Sequence, residues 1–418
     1  PYPRSFYPFH NSGNDFPVVA FMRLLSLFYP KAAVFFIKPC TDSFFLLLLA
    51  MGINVRLSIV GALAFGLCAY NFQILQVGHN SKMVAIALMP MVLAGVVYAY
   101  RKKAFLGAVL FGFALSFEIA ANHPQITFYL GMIILAYVIA QLVSAIKNKT
   151  LPAFIKTSCF VLLATILAAG TNVNRLWPNW EYSKYTMRGG SELQMAHAQG
   201  NQTQGGLNKE YATAWSYGIE ETPNLLIPNF NGGASASELS KKSKTYEILK
   251  QGGVPNAEQV IKQMPTYWGP QAFTAGPMYM GAISVFLFVL GLVVLQGTTK
   301  WWIAGISLLA LLLGWGKHFM WLSSLFFDYV PLYNKFRVPS MILTILELTI
   351  PLLGFYSLHQ IFSDKIEKKR VIKGLKLALG ITGGFCLLFA LLPSLAGSFT
   401  SPADSQFPDW LQQALPED

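Results

Sequence analysis

Apolar runs about as long as a bilayer crossing, roughly 20 residues, recur along the chain. They fall at 55–75, 83–100, 104–121, 126–146, 153–172, 276–296, 301–316, 338–361 and 374–396. A further run at 32–53 is interrupted by Lys38, Pro39 and Asp42. The stretch 17–30, with Arg23 inside it, fits a helix lying in the membrane interface. Soluble helices need a polar face, so these runs cannot all be soluble core helices. The pattern predicts an all-α polytopic membrane protein with about ten transmembrane helices.

Short basic connections orient such a chain, because Lys and Arg near span ends stay cytoplasmic. The clusters are Arg101, Lys102 and Lys103; Lys147, Lys149 and Lys156; and Lys365, Lys368, Lys369, Arg370 and Lys373. Even numbers of crossings separate them, so all three fall on one side. The other side then receives 1–31, 76–82, 121–125, 173–275, 317–337 and the tail from 397. The expected organisation is an N-terminal transmembrane bundle (1–172), a periplasmic cap inserted between spans (173–275), C-terminal transmembrane helices (276–396) and a periplasmic tail (397–418). An outward N-terminus without initiator Met or signal peptide fits a first span upstream of Pro1.

The stretch 173–275 is rich in Gly, Asn, Gln, Ser and Tyr and carries Trp177, Trp180, Trp215 and Trp268. A structureless loop of that length would be unusual, so short helices are expected in it. Residues 234–263, with Lys241, Lys242 and Lys244, read as its mobile part.

Composition agrees with the pattern. Of 418 residues, 54% are hydrophobic and 12% charged, against roughly 25% charged in soluble domains. Disordered, collagen-like and disulfide-scaffold classes are excluded, and an ordinary soluble enzyme is disfavoured. The net charge of +12 sits largely in connections, so it calls for no nucleic-acid partner. Cys40, Cys68, Cys159 and Cys386 lie in apolar runs without a CxxC pair and read as small buried hydrophobes.

Five polar segments map to the outer face. His79, Asn80 and Lys82 lie between two spans, where either a site or a helix start capped by Asn80 or Ser81 accounts for them. Glu118 lies one helical turn before Asn122, His123 and Gln125. A carboxylate inside a span is costly unless paired or facing a wet cavity, so it is a site candidate, with a polar pin between helices as the alternative. Segment 172–192 interleaves Arg175, Glu181, Lys184, Arg188 and Glu192 with Trp177, Trp180, Tyr182 and Tyr185. That mixture suits a sugar ring and phosphate oxygens, and equally an interfacial aromatic belt. Glu220 and Glu221 are adjacent carboxylates that either share a proton or head a helix. Lys335 and Arg337 stand just before a span on the outer side, where a lipid phosphate or ordinary snorkelling explains them.

No P-loop, GxGxxG, HExxH or GxSxG motif is present. No metal motif is seen either, and participation of a divalent metal stays open. Few charges lie deep inside spans, so an ion-coupled transport path gains no support.

At these segments the chain resembles the YfhO family of bacterial membrane proteins in its Bacteroidetes form. The matching strings are GHNSKMVAIALMP at 78–90, EIAANHPQITFYL at 118–130, EYSKYTMRGGSEL at 181–193, WSYGIEETPNLLIPNFNGGAS at 215–235, TYWGPQAFTAGPMYMGA at 266–282 and YNKFRVPSMIL at 333–343. The resemblance spans about residues 44–396. It implies a GT-C-like fold in the bacterial inner membrane. It also implies transfer of a sugar from a polyprenyl-phosphate donor to a cell-envelope acceptor on the periplasmic face. Membrane lipids would surround it. The alternative is a non-catalytic carrier or assembly scaffold for lipid-linked glycans. The resemblance further implies a catalytic Asp in the first outer loop. Residues 1–31 hold only Asp15 as an acidic residue, which places that Asp upstream of the chain. Glu118, Glu220 and Glu221 are then the remaining catalytic candidates. His79, Asn80, Lys82, His123, Gln125, Glu181, Arg188, Lys335 and Arg337 are the candidate binding residues.

Overall fold

The computed structural model describes residues 31–189 and 206–418. The expected interfacial stretch 17–30, Asp15 and Glu192 lie outside the described residues. The protein is a helical multi-pass membrane protein. Six helices are long and apolar enough to cross a membrane: Val55–Gln76, Asn80–Arg101, Pro124–Lys147, Leu151–Thr171, Pro339–Phe362 and Lys368–Leu391. A bent pair, Thr298–Gly314 and Gly316–Tyr329, makes up to seven. Ala104–Ala120 and Ala282–Val294 are shorter apolar helices, and Lys31–Ala50 packs beside Asn80–Arg101. No β-strand occurs among the described residues; two isolated bridges join Gly232 to Tyr267 and Ser237 to Met264.

Asn80–Arg101 and Pro339–Phe362 form the buried centre. Leu151–Thr171 and Lys368–Leu391 are peripheral and present Leu163, Ile166, Leu167, Leu379 and Leu387 outward. Lipid tolerates such faces, so apolar residues mark the rim here as well as the core. Small residues set the closest helix approach. A Cβ on Gly95 would meet the backbone N of Phe111 at 2.6 Å, and one on Gly107 would collide with the backbone of Ala99. The helices Asn80–Arg101 and Ala104–Ala120 therefore touch backbone to backbone. Gly107→Val is expected to cost about 1–3 kcal/mol by overpacking. Thermal unfolding in detergent should register it, whereas Gly131→Val, at a site with open space, should be nearly silent.

Three departures from the sequence expectation have local causes. The 55–75 run breaks into Val55–Gly66 and Ala69–Gln76, with Cys68 extended at ψ 136°. Asn71 Nδ2 donates to the carbonyls of Phe65 (3.0 Å) and Gly66 (3.4 Å), so the break leaves them satisfied inside the bundle. The 301–316 run does not end in an outer loop but turns by 108° into the short helix Met320–Tyr329. Gly316 adopts φ 47° at that corner. Ser216 Oγ accepts from the Lys317 N–H (2.8 Å), and Ser323 Oγ donates to the Gly316 carbonyl (2.8 Å). The 276–296 run is helical only over Ala282–Val294, because Met278 and Met280 are drawn into a cluster with Tyr217, Leu225 and Leu343.

That cluster seats the cap on the bundle. The cap also has an apolar core of its own, in which Leu249, Ala257, Ile261 and Met264 pack with Leu411 of the tail. The Asp418 carboxylate accepts from the backbone N–H groups of Lys244 and Thr245. Residues 234–263 thus contain the helices Lys244–Gln251 and Ala257–Val260, covered by the C-terminal tail. At the opposite end of the bundle, Arg101 donates to the Met51 carbonyl (3.3 Å) and to Thr299 Oγ1 (3.2 Å), tying three connections together.

Candidate functional site under the cap

A cavity of about 740 Å³ lies between the helix ends and the cap. Tyr70, Gln73 and Ile74 form its floor with His79 and Lys82. Residues 234–236 and 271–278 roof it, and 337–343 form one wall. Three of the five polar segments therefore meet here: 78–82 through His79 and Lys82, 215–221 through Trp215 and Tyr217, and 333–337 through Arg337.

The turn before Asn80–Arg101 depends on Gly78, at φ 78°. His79 occupies the N-cap without a side-chain capping bond, so the expected caps by Asn80 or Ser81 do not form. Asn80 is exposed at the first helical position. Burial and the Lys82 charge both hold the His79 imidazole below its usual pKa. Lys82 is 8% exposed, and among the described residues it is the only buried Lys or Arg. Its Nζ donates to Tyr70 Oη (3.2 Å) and lies 5.3 Å from that ring's centroid.

Arg337 is exposed and donates through Nη1 to Tyr211 Oη, with its guanidinium 5.7 Å from the ring centroid. Its backbone is clamped. Gln125 Nε2 donates to the Arg337 carbonyl (2.7 Å) and to Tyr129 Oη (2.8 Å), and the Val338 N–H donates to the Ala212 carbonyl (3.0 Å). Val338 is left-handed, at φ 61° and ψ 73°, which a β-branched residue rarely adopts. Such strain persists only where surroundings impose it. Trp215 and Phe273 meet edge to face, at 5.1 Å, in the cavity wall.

The other candidates lie elsewhere. Glu221 is buried behind the roof and accepts from the Gly218 N–H (2.6 Å), Tyr267 Oη (2.7 Å) and Gln271 Nε2 (3.0 Å). Burial raises its carboxyl pKa, and those three donors oppose the shift. Glu220 is exposed, so the two carboxylates occupy different environments and share no enclosure. Neither lines the cavity, nor do Glu118 and His123. Glu118 is fully buried between helices, with Oε1 accepting from Thr127 Oγ1 (3.1 Å) and Oε2 unpartnered. His123 caps Pro124–Lys147, accepting from the Ile126 N–H (3.4 Å). Its imidazole is pushed down to about 4, chiefly by burial and then by Lys82, which keeps it neutral at pH 7.

The segment 181–189 lies outside the cavity. Glu181 pairs with Lys184 (2.9 Å) at the surface, and the Arg188 carbonyl accepts from Lys335 Nζ. Trp177, Trp180, Tyr182 and Tyr185 are exposed, as in an interfacial belt. Burial lowers the Lys335 pKa.

Glu347 is the residue that sequence reasoning missed. It is 1% exposed within Pro339–Phe362, and no hydrogen-bond partner reaches either carboxylate oxygen. A single carboxylate within an apolar run was the available signal.

The cavity lining thus combines Lys82, Arg337 and His79 with Trp215, Tyr217 and Phe273, and among the described residues it includes no Asp or Glu. Chemically, it can hold an anionic group against cations and a ring against aromatic faces. Among the described residues, no three His, Cys, Asp or Glu gather to hold a metal ion. No family model, curated protein or solved structure matches the chain.

Proposed function

We propose that the cavity receives the phosphate head and sugar of a polyprenyl-phosphate donor, and that the protein is a GT-C-like glycosyltransferase acting at the periplasmic face of the bacterial inner membrane. The observation that carries this reading is the cationic and aromatic cavity at the level where the spans end and the cap begins. A donor whose prenyl tail stays in lipid presents its sugar at that level. Lys82 and Arg337 would neutralise the departing phosphate, and the Trp215–Phe273 pair would support the sugar face. The resemblance of these segments to the YfhO family supports the same chemistry and a bundle of about ten spans.

One observation favours the second reading, a non-catalytic carrier or scaffold for lipid-linked glycans. Transfer needs a base, and no carboxylate lines the cavity among the described residues. The enzyme reading needs a base from outside that described lining.

Two measurements test the proposal. Purified protein in nanodiscs should move radiolabelled sugar from a prenyl-phosphate donor to envelope lipids; donor binding without transfer would favour the carrier. In a Cys-free background, an impermeant thiol reagent applied outside should modify Lys242→Cys in the cap but not Lys369→Cys. The reverse pattern would contradict the orientation.

A further inference from the structure

Cations are not the whole polar lining of the cavity. Gln73 lies in its floor and Gln271 in its roof, and each amide is anchored through its nitrogen. Gln73 Nε2 donates to the Pro277 carbonyl (2.7 Å), which ties the helix Ala69–Gln76 to the roof. The roof backbone closes directly over that amide: a Cβ on Gly276, at φ 146°, would lie 2.8 Å from Gln73 Nε2. Gln271 Nε2 donates to both oxygens of Glu221 (3.0 and 3.1 Å), and its backbone N–H donates to Tyr267 Oη (2.9 Å).

Those partners decide which end of each amide is held. A backbone carbonyl only accepts, so the Gln73 nitrogen must face Pro277. Glu221 receives donors on both oxygens: Tyr267 Oη and Gln271 Nε2 on Oε1, the Gly218 N–H and Gln271 Nε2 on Oε2. It offers no proton in return, so the Gln271 amide cannot turn over. Both glutamine Oε1 atoms are left on the side away from their anchors. Among the described residues no donor reaches either of them, and neither is buried. Two oriented acceptors therefore share a cavity with Lys82 and Arg337. The cations suit an anion, which an amide oxygen repels. The acceptors need a group that donates without positive charge, because the cations would repel another cation. A hydroxyl meets both conditions.

We propose that Gln73 and Gln271 read hydroxyl groups of the ligand: each Oε1 accepts from one hydroxyl of a polyhydroxylated ring whose phosphate lies against Lys82 and Arg337. These hydroxyl contacts rest on the anion-site reading above and add to it the feature by which the ring is selected. Glu221 is then a positioning residue, which holds the Gln271 amide without touching the ligand. Removing a hydroxyl from the ring leaves an acceptor without its donor. A hydrogen bond between neutral groups is worth about two- to tenfold in affinity.

The test measures Kd values for purified protein in nanodiscs. One probe is a citronellyl glucosyl phosphodiester, and a second carries a methyl group in place of the sugar, with the same single charge. Monodeoxy forms of the glucosyl probe, one for each free hydroxyl, complete the set. Wild type should bind the glucosyl probe more tightly than the methyl one, and deoxygenation at two positions should cost about two- to tenfold each. Gln73→Met keeps the side-chain length without the acceptor and should abolish one of those losses; Gln271→Met should abolish the other. A purely structural role would weaken every probe alike and keep both losses, and that pattern in the folded variants would overturn the proposal. Should Gln271→Met fail to fold, Glu221→Gln serves instead. Its amide can donate to Gln271 Oε1 and let that amide turn over, so the loss read by Gln271 should shrink while the loss read by Gln73 stays. Equal binding of the glucosyl, deoxy and methyl probes by wild type would overturn this inference and leave the anion site standing. Failure of folded wild type to bind any of them would overturn the anion-site reading, and this inference with it.

Discussion

Glu221→Ala should loosen the cap while leaving the transmembrane bundle assembled. The carboxylate is 1% exposed and gathers three donors from the cap: the Gly218 N–H, Tyr267 Oη and Gln271 Nε2. Alanine would strand those donors in a closed space. A buried donor left unpaired costs about 1–3 kcal/mol, and three lose their acceptor together. The Glu221 carbonyl also accepts from Tyr217 Oη (2.6 Å), a residue of the cluster that seats the cap. The expected result is rapid proteolysis within the cap and faster amide exchange over 215–235 and 266–275, with detergent-stable spans. Unchanged exchange in Glu221→Ala would show that the three hydrogen bonds do not hold the cap. The Glu220→Ala variant should be silent, because that side chain is exposed.

The contrast between Glu220 and Glu221 also shows what was legible in the sequence. The spans were, because lipid removes the need for a polar helix face and leaves long apolar runs in plain view. The fate of two adjacent carboxylates was not. It depends on Tyr267 and Gln271, which are distant in sequence and reach Glu221 only after the cap folds. The same applies to the break at Leu67 and Cys68, which is stable because Asn71 turns back onto two carbonyls. The corner at Gly316 needs Ser216 of the cap to accept from the Lys317 N–H. The tail gave no hint that Leu411 would complete the cap core.

Local chemistry was partly legible at the site. His79, Lys82 and Arg337 stood out as polar groups at span ends, and they converge on one cavity. Gln125 was marked beside His123, yet its role is to hold the Arg337 carbonyl from behind. Glu347 was counted within an apolar run although it is a buried carboxylate without a partner. Charge inside a span is scarce, and one such residue outweighs several polar residues at a helix end.

On the proposed function, Lys82 and Arg337 together hold an anionic lipid head in the cavity. Each charge-assisted contact to phosphate is worth about 1.5–3 kcal/mol, and about 1.4 kcal/mol is tenfold in affinity. Arg337→Ala should therefore weaken the donor at least roughly tenfold, raising its apparent KM. Lys82→Met, which keeps the apolar stem, should do likewise, and the double variant should lose roughly 10²–10⁴-fold. The most direct measurement is the Kd of a prenyl-phosphate sugar for wild type, both single variants and the double variant in nanodiscs, each checked as folded by its thermal transition. Stepwise losses of that size are expected. A folded double variant that binds the donor as tightly as wild type would contradict that role.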